Sequence, residues 1–320
     1  MSPSSADPPG LRAVGLSATC RRLDTLTPVT APLAVVTVTY SSGAYLETFL
    51  RSLADASATL PPVVIADNGS DDGAPEAAEE RYDNVTLVRT GGNIGYGGAM
   101  NRGVAELDPE IEFVAIANPD VEWRPGSLDA LLAAAQRWPD AGALGPLIWE
   151  PDGSIYPSAR RVPDLVSGTG HALLGSVWPS NPWTAAYRED DAEPSERVVG
   201  WLSGSCLLVR RSAFDAVGGF DARYFMYMED VDLGDRLGRA GWQNVYVPHA
   251  EIVHTKGHAA GRNPEKMLPA HHQSAYRFQA DRNPGPWRAP IRLALRVGLA
   301  VRSRVAVRAA RRALDRDHRS

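Results

Sequence analysis

Apolar residues in this chain fall into short β-branched runs separated by longer segments of helical spacing. Leu33-Ala-Val-Val-Thr-Val-Thr39 is a continuous apolar run of the kind buried on both faces of a sheet, and Tyr45–Leu53 then places its apolar residues at helical spacing. Val63–Ala66 repeats the strand pattern and runs into Asp67-Asn-Gly-Ser-Asp-Asp-Gly73, a loop dense in turn formers, with a helix from Pro75. A strand over Val85–Val88, a helix over Ala99–Leu107, a strand over Phe113–Ala117 and a helix over Ser127–Trp138 continue the alternation. Strands alternating with helices predict an α/β fold with a mostly parallel sheet.

The alternation stops at Pro151. Through Arg197 the chain is dominated by Pro, Gly, Trp and Arg without periodicity, and we read it as a mobile segment on the acceptor side of a site. Strands return at Val198–Leu202 and Ser205–Arg210, a helix over Val231–Ala240 is stopped by Gly241, and Val245–Val247 and Ile252–Val253 read as late strands. From Trp287 onward, Ile291, Leu293, Leu295, Val297, Leu299 and Val301 interleave with Arg292, Arg296, Arg302, Arg304, Arg308, Arg311 and Arg312. This reads as a basic amphipathic helix, suited either to anionic headgroups or to packing on its own domain with a solvated arginine face. The Ser-, Pro- and Thr-rich residues 1–31 have the composition of a disordered tail. The expected organisation is therefore a tail over 1–31, a domain over 32–262 and a basic helical extension over 263–320.

Composition narrows the function. With 320 residues, 44% of them hydrophobic, the chain can bury a full core. A net charge of -5 argues against a nucleic-acid binder, which needs basic groups to neutralise phosphates. Cys20 and Cys206 are the only cysteines, which leaves no disulfide framework and no cysteine zinc site. No apolar run reaches the roughly 18 residues a membrane helix needs, and no secretory pattern opens the chain, so a cytoplasmic location is expected.

Polar residues recur just past the apolar strands, at Thr39-Tyr40, Asp67-Asn68 and Asn118-Pro-Asp120. In an open parallel sheet such carboxyl ends converge on one ligand crevice. Asp67 can accept a hydrogen bond from a nucleotide base or ribose, or can stabilise the Asn-Gly turn that follows it. Gly91-Gly-Asn-Ile-Gly-Tyr-Gly-Gly98 permits close approach to a phosphate at a helix start, or is a plain flexible loop. Asn118-Pro-Asp120, followed by Glu122, suits a hard divalent cation that also needs substrate phosphate; it is equally good turn chemistry. Glu229, Asp230 and Asp232 open a helix, where mutual repulsion raises the pKa of at least one toward that of a general base, or where they form an acidic first turn with no catalytic duty. His249, His254 and His258 cluster after the late strands, with His254 the preferred metal-ligand candidate.

The order and spacing of Val38-Thr-Tyr40, Ala66-Asp-Asn-Gly-Ser70, Asn93-Ile-Gly-Tyr-Gly-Gly-Ala-Met-Asn101, Asn118-Pro-Asp120, Trp201-Leu-Ser-Gly-Ser-Cys206 and Gly218-Gly-Phe-Asp221 leading to Glu229-Asp-Val-Asp232 resemble the family-two inverting glycosyltransferases, in particular bacterial cell-wall rhamnosyltransferases. The resemblance implies a GT-A-type, Rossmann-like sheet flanked by helices, with a nucleotide-sugar half over 32–122 and an acceptor and catalytic half over 123–262. It implies that Asp67 holds the nucleotide base, that Thr39, Tyr40, Asn93, Gly95, Tyr96, Asn101 and Asn118 line the nucleotide-sugar site, and that Trp201, Gly204 and Ser205 face the acceptor. Asp230 becomes the base, with Glu229 as its substitute, and Asp120 with His254 the ligands of Mg²⁺ or Mn²⁺. The family's metal motif often reads Asp-x-Asp, and here Asn118 replaces the first carboxylate. The donor so implied is dTDP-L-rhamnose and the acceptor a polyprenyl-diphosphate-linked N-acetylglucosamine, with the basic C-terminal helix bringing the enzyme to the inner face of the membrane. Two rivals are a noncatalytic sugar-binding module, disfavoured by the presence of both Asp120 and Asp230, and a sugar nucleotidyltransferase. The latter needs a basic phosphate loop after the first strand, where this chain has Tyr40-Ser-Ser-Gly-Ala44.

Overall fold

The computed structural model describes residues 32–163, 194–255 and 264–317. The tail over 1–31, most of the irregular stretch after Pro151, and His258 lie outside the described residues.

Four strands open the fold: β1 (Leu33–Thr39), β2 (Val63–Asp67), β3 (Val85–Arg89) and β4 (Phe113–Ala117). They are parallel, in the order β3-β2-β1-β4, with α1 (Ala44–Ala56), α2 (Ala74–Arg81) and α3 (Tyr96–Ala105) as crossovers. Their side chains alternate between two cores, as a strand period of two requires. Val35, Ile65, Phe113 and Ala115 pack with Phe49 and Leu53 of α1 on one face. Val36, Val64, Val114 and Ile116 pack with Met100 and Val104 of α3 on the other. Burying both faces is what made β1, β2 and β4 continuous apolar runs, while β3 at the sheet edge is partly exposed.

The second half is mixed. It contains β5 (Val121–Trp123), α4 (Ser127–Arg137), β6 (Ala141–Trp149), β7 (Ile155–Tyr156), β8 (Ala159–Arg160), β9 (Arg197–Val199), β10 (Trp201–Leu202), β11 (Cys206–Arg210), α5 (Arg211–Ala216), α6 (Glu229–Arg239) and β12 (Gln243–His254). The sheet continues from β4 as β11-β6-β12-β5, with β11 antiparallel to both neighbours and β12 parallel to β6. β8 and β10 form a separate two-stranded ribbon.

Two elements depart from the sequence reading. β6 is a buried nine-residue strand despite Gly142, Gly145 and Pro146, which break the apolar run. The small residues are required there: a Cβ on Gly145 would lie 2.8 Å from the Leu202 side chain. The two late strands are one strand, β12, whose register against β6 shifts between Val247 and Glu251 and so absorbs the Pro248-His249 interruption.

The C-terminal extension is a helical hairpin of α7 (Pro264–Arg282) and α8 (Ala289–Asp317). α7 packs on the catalytic half, where Phe278 joins Trp201, Tyr224 and Val231 in a third apolar cluster. The single amphipathic stripe expected of α8 resolves into two rows. Arg292, Leu295, Leu299, Ser303 and Ala306 are half-buried at steps of three and four, while Leu293, Val297, Val301 and Val305 form an exposed row at steps of four. Apolar residues at every second position cannot share one side of a 3.6-residue helix. No helix among the described residues is long and apolar enough to cross a membrane.

Candidate active site

The carboxyl ends of β1, β2 and β4 meet at one edge of the sheet, as the strand-end residues predict. Asp67 is buried at the end of β2 and its carboxylate is saturated by protein donors. Thr39 Oγ1 (2.9 Å), the Gly69 and Ser70 amides (3.2 and 3.1 Å), Ser70 Oγ (2.5 Å) and Arg89 Nη1 (2.6 Å) all donate to it. Burial alone would push its pKa up, but hydrogen bonds from Ser70, Thr39 and Arg89 outweigh that and hold the carboxyl below its ordinary value. Asp67 thus organises the turn that follows it. Tyr40 beside it is exposed, at 57%, with its ring open to a ligand.

The glycine-rich loop is a fixed connection rather than a slack one. Asn68 Nδ2 donates to Gly95 O (3.1 Å), Asn93 Oδ1 accepts from the Gly95 amide (3.1 Å), and the Tyr96 amide donates to Phe225 O (3.1 Å). Gly95 has φ 84°, and a Cβ there would fall 2.2 Å from Phe225 O, so no other residue fits. The Asn101 amide is occupied by the Phe220 backbone, donating to Phe220 O (2.7 Å) and accepting from Phe220 N (2.9 Å), which clasps α3 to the loop before α6.

Asp230 sits at the first turn of α6. Its Oδ2 accepts from the Gly204 amide (2.9 Å) and its Oδ1 from the Val231 amide (2.8 Å). Tyr96 Oη donates to Gly204 O (2.5 Å), and Ser205 O accepts from the Asn118 backbone amide (2.9 Å), which ties Asp230, the glycine-rich helix and the end of β4 into one cluster. Burial raises the pKa of Asp230, opposed by those amides and by the positive charge of Arg160. Glu229 is also raised, by burial and then by the Asp230 charge, and its buried Oε2 has no hydrogen-bond partner. Two adjacent carboxylates share their ionisation unequally. Asp230 has two backbone donors, whereas Glu229 has a buried oxygen without a partner. Asp232 leaves the site altogether, paired with Arg236 Nε at 2.6 Å.

At the end of β4, His254 Nε2 lies 3.1 Å from Asp120 Oδ1 and 3.2 Å from Asn118 Nδ2, and His254 Nδ1 is buried without a partner. One ring nitrogen cannot accept from the amide and donate to the carboxylate at once. His249 is exposed on the irregular part of β12 and Glu122 is exposed on β5, so neither joins them. Among the described residues, no three His, Cys, Asp or Glu side chains form a cation cage.

Sequence reading missed the support beneath α6. Tyr227 and Met228 both carry positive φ, 68° and 67°, a strained pair immediately before Glu229. α7 pins the loop that holds them. Ser274 Oγ donates to Met226 O (3.0 Å), Arg277 Nη1 donates to Arg223 O, and the His271 and Tyr227 rings meet edge to face at 5.3 Å.

The family model of glycosyl transferase family 2 matches residues 34–218, and a related model, glycosyltransferase-like family 2, matches 176–268. The N-acetylglucosaminyl-diphospho-decaprenol L-rhamnosyltransferase of Mycobacterium tuberculosis is 61% identical over 293 residues, covering 89% of this chain and 95% of that one. The rhamnosyltransferase WbbL of Escherichia coli K12 is 27% identical, covering 77% of this chain and 92% of that one. Among solved structures, a mannosyltransferase from Pyrobaculum calidifontis in complex with GDP-Man and Mn²⁺ superposes with a TM-score of 0.52 at 19% identity, covering 92% of this chain and 76% of that one. GalNAc-T7 with UDP, GalNAc and Mn²⁺ gives 0.53 at 16% identity, covering 70% and 43%. These two likenesses carry the fold, which is GT-A. With more than half its length matched by the family model and a relative 61% identical across most of both chains, the chain belongs to glycosyltransferase family 2 and is a glycosyltransferase.

Proposed function

We propose that the enzyme transfers L-rhamnose from dTDP-L-rhamnose to a polyprenyl-diphosphate-linked N-acetylglucosamine, with inversion at the anomeric carbon. The observation that carries the chemistry is the half-buried Asp230 carboxylate, aimed by two backbone amides beside Glu229, whose buried Oε2 has no hydrogen-bond partner. The specificity rests on the 61% identity to a protein whose name states that acceptor and that sugar. In a single displacement Asp230 takes the proton of the acceptor hydroxyl, the oxygen attacks the anomeric carbon, and the nucleoside diphosphate departs. Trp201, Gly204 and Ser205 form the acceptor side of the base. Thr39, Tyr40 and Asp67 at the ends of β1 and β2, with Asn93, Gly95 and Tyr96, form the donor side, Asp67 acting through the turn it organises and through its exposed neighbour Tyr40.

Asp120 and His254 fit a divalent cation, Mg²⁺ or Mn²⁺. Their Oδ1 and Nε2 converge, the histidine's hydrogen-bond roles conflict without a cation, and two protein donors leave room for phosphate oxygens. When bound, such a cation stabilises charge on the departing diphosphate. The exposed Leu293–Val305 row of α8, bordered by Arg296, Arg304 and Arg308, supports peripheral attachment to an anionic membrane surface on the cytoplasmic side, where a lipid-linked acceptor resides.

Transfer by the full chain should be measured with dTDP-rhamnose, UDP-glucose, UDP-galactose and GDP-mannose, with and without Mn²⁺, on a lipid-diphosphate N-acetylglucosamine. Rhamnose transfer that requires the cation is the expected result. Transfer from a different donor only would retain the mechanism and overturn the rhamnosyl specificity; nucleotide binding without turnover would favour a noncatalytic module.

A further inference from the structure

Tyr96 is the first residue of α3, on the proposed donor side, yet its hydroxyl bonds a residue 108 positions further along the chain, in the segment beside Asp230. The side chain is fixed at both ends. Its own backbone amide donates to Phe225 O at 3.1 Å, and its ring meets the Phe220 ring edge to face at 5.9 Å. Phe220 is buried, its backbone is clasped by the Asn101 amide, and a Cβ on Gly97 would lie 2.8 Å from Phe220 Cβ, so α3 and the Phe220 segment are in close contact. A ring anchored in this way holds its Oη in place, and Gly204 O accepts from it. Desolvation, then the charges of Glu229 and Asp230, push the phenol well above its ordinary pKa, so the hydroxyl keeps its proton and donates.

Gly204 is held through its two backbone polar groups. The carbonyl accepts from Tyr96, and the amide donates to Asp230 Oδ2 at 2.9 Å. The residues on either side are fixed separately, the Ser203 amide on Ser158 O (2.8 Å) and the Ser205 carbonyl on the Asn118 backbone amide (2.9 Å). A Cβ at position 204 would come within 3.1 Å of Asp230 Cβ, so this segment lies directly against the carboxylate it serves. We propose that Tyr96 is a positioning residue for the base: its hydroxyl, bonded to the Gly204 carbonyl, keeps the Gly204 amide on Asp230 and so fixes the direction of that carboxylate and its readiness to take a proton. The assignment rests on Asp230 being the base. The titratable and charged groups that face Asp230 are Glu229 on its own helix, Arg160 of β8, Tyr156 of β7 and Tyr96 itself. Removing a neutral hydroxyl alters none of the charges among them, so a change in the ionisation of Asp230 reports on the Gly204 amide.

The test is Tyr96→Phe in the full chain, which keeps the ring and removes the hydroxyl. Val104→Ala, a core substitution on the same helix, is the structural control, and Asp230→Asn tests the base. Rhamnose transfer from dTDP-rhamnose to an alkyl-diphosphate N-acetylglucosamine is followed across pH. A carboxylate that loses an amide donor is harder to ionise, so in Tyr96→Phe the acid limb of kcat/KM should move to higher pH by about half a pH unit or more. Its kcat should fall about tenfold, with donor KM changed by less than about twofold. Val104→Ala should lower the melting temperature and leave the limb where it is. Neither the limb nor KM depends on the fraction of folded enzyme, so a partly misfolded preparation does not imitate the expected result. An unmoved limb in Tyr96→Phe overturns the proposal, as does a raised donor KM at unchanged kcat, which would make the hydroxyl a donor contact. A limb that moves equally in Val104→Ala overturns it too, since any loosening of α3 would then suffice. Turnover of Asp230→Asn at the wild-type rate breaks the reading of the base, and the role of Tyr96 with it.

Discussion

The two halves of the domain treat a buried carboxylate in opposite ways. Asp67, in the parallel half, is surrounded by donors and held below its ordinary pKa; Glu229, in the mixed half, is buried beside a second carboxylate with one oxygen unpartnered and is held above it. The first arrangement stabilises the fold and the second opposes it, the pattern that the proposed catalytic role of this pair would require. The backbone repeats the contrast. Among the described residues three non-glycine positions have positive φ, and two of them, Tyr227 and Met228, directly precede Glu229 and Asp230, where α7 holds their loop in place.

The comparison is broken most severely at Asp230. Asp230→Asn should lower kcat by about 10²–10⁴, the range for loss of a general base, while nucleotide binding persists; a variant with near-normal turnover would move the base elsewhere. Next in size is the support. Phe278→Ala, in the cluster with Trp201, Tyr224 and Val231, should destabilise the protein by about 3–5 kcal/mol in denaturant unfolding, and a loss under ~1 kcal/mol would make α7 a mere appendage.

The pH dependence sharpens the contrast further. Asp67 has a depressed folded pKa, so its contribution is present above its ordinary value of 3.8 and is lost as pH falls below it. Asp67→Asn should therefore cost stability at neutral pH and progressively less in acid. Glu229 has a raised pKa, so stability is lost as pH rises from its ordinary 4.5 toward about 8. Glu229→Gln should flatten that decline, and its melting temperature relative to wild type should climb with pH across the same window. Parallel curves for wild type and Glu229→Gln would mean that Glu229 is not the protonated partner. The smallest effect is expected at Ser274, whose removal as Ser274→Ala should cost about 1 kcal/mol of stability. It should also reduce kcat with little change in donor KM, because only the loop before α6 is released. Equal loss in kcat and donor KM would instead indicate a general structural defect.

What could be read from the sequence follows the same division. The strands β1, β2 and β4 were legible because both their faces are buried, which forces uninterrupted apolar runs, and polar residues lie just beyond them. The Glu229–Asp230 helix start was legible for its density of charge. β6 was not, since the glycines and proline that break its pattern are there to admit Leu202 and other neighbours from distant parts of the chain. α7 falls within the helical extension expected over 263–320, but its seat was not legible, because its residues are chosen to fit a loop some fifty positions earlier, a constraint with no periodicity of its own.

Local pattern by itself determined the α/β alternation, the place of the crevice and the residues able to do acid–base work, because each depends on nearest neighbours in the chain. Tertiary structure alone decided what those residues are used for. Arg89, from the end of β3, joins Ser70 and Thr39 in saturating Asp67. Gly204, 26 positions before Asp230, aims its carboxylate. Arg160 comes to stand between Tyr156 and Trp201 only when β8 and β10 pair. Solvation and charge act through space, so the ionisation of a carboxyl is set by whatever the fold brings beside it.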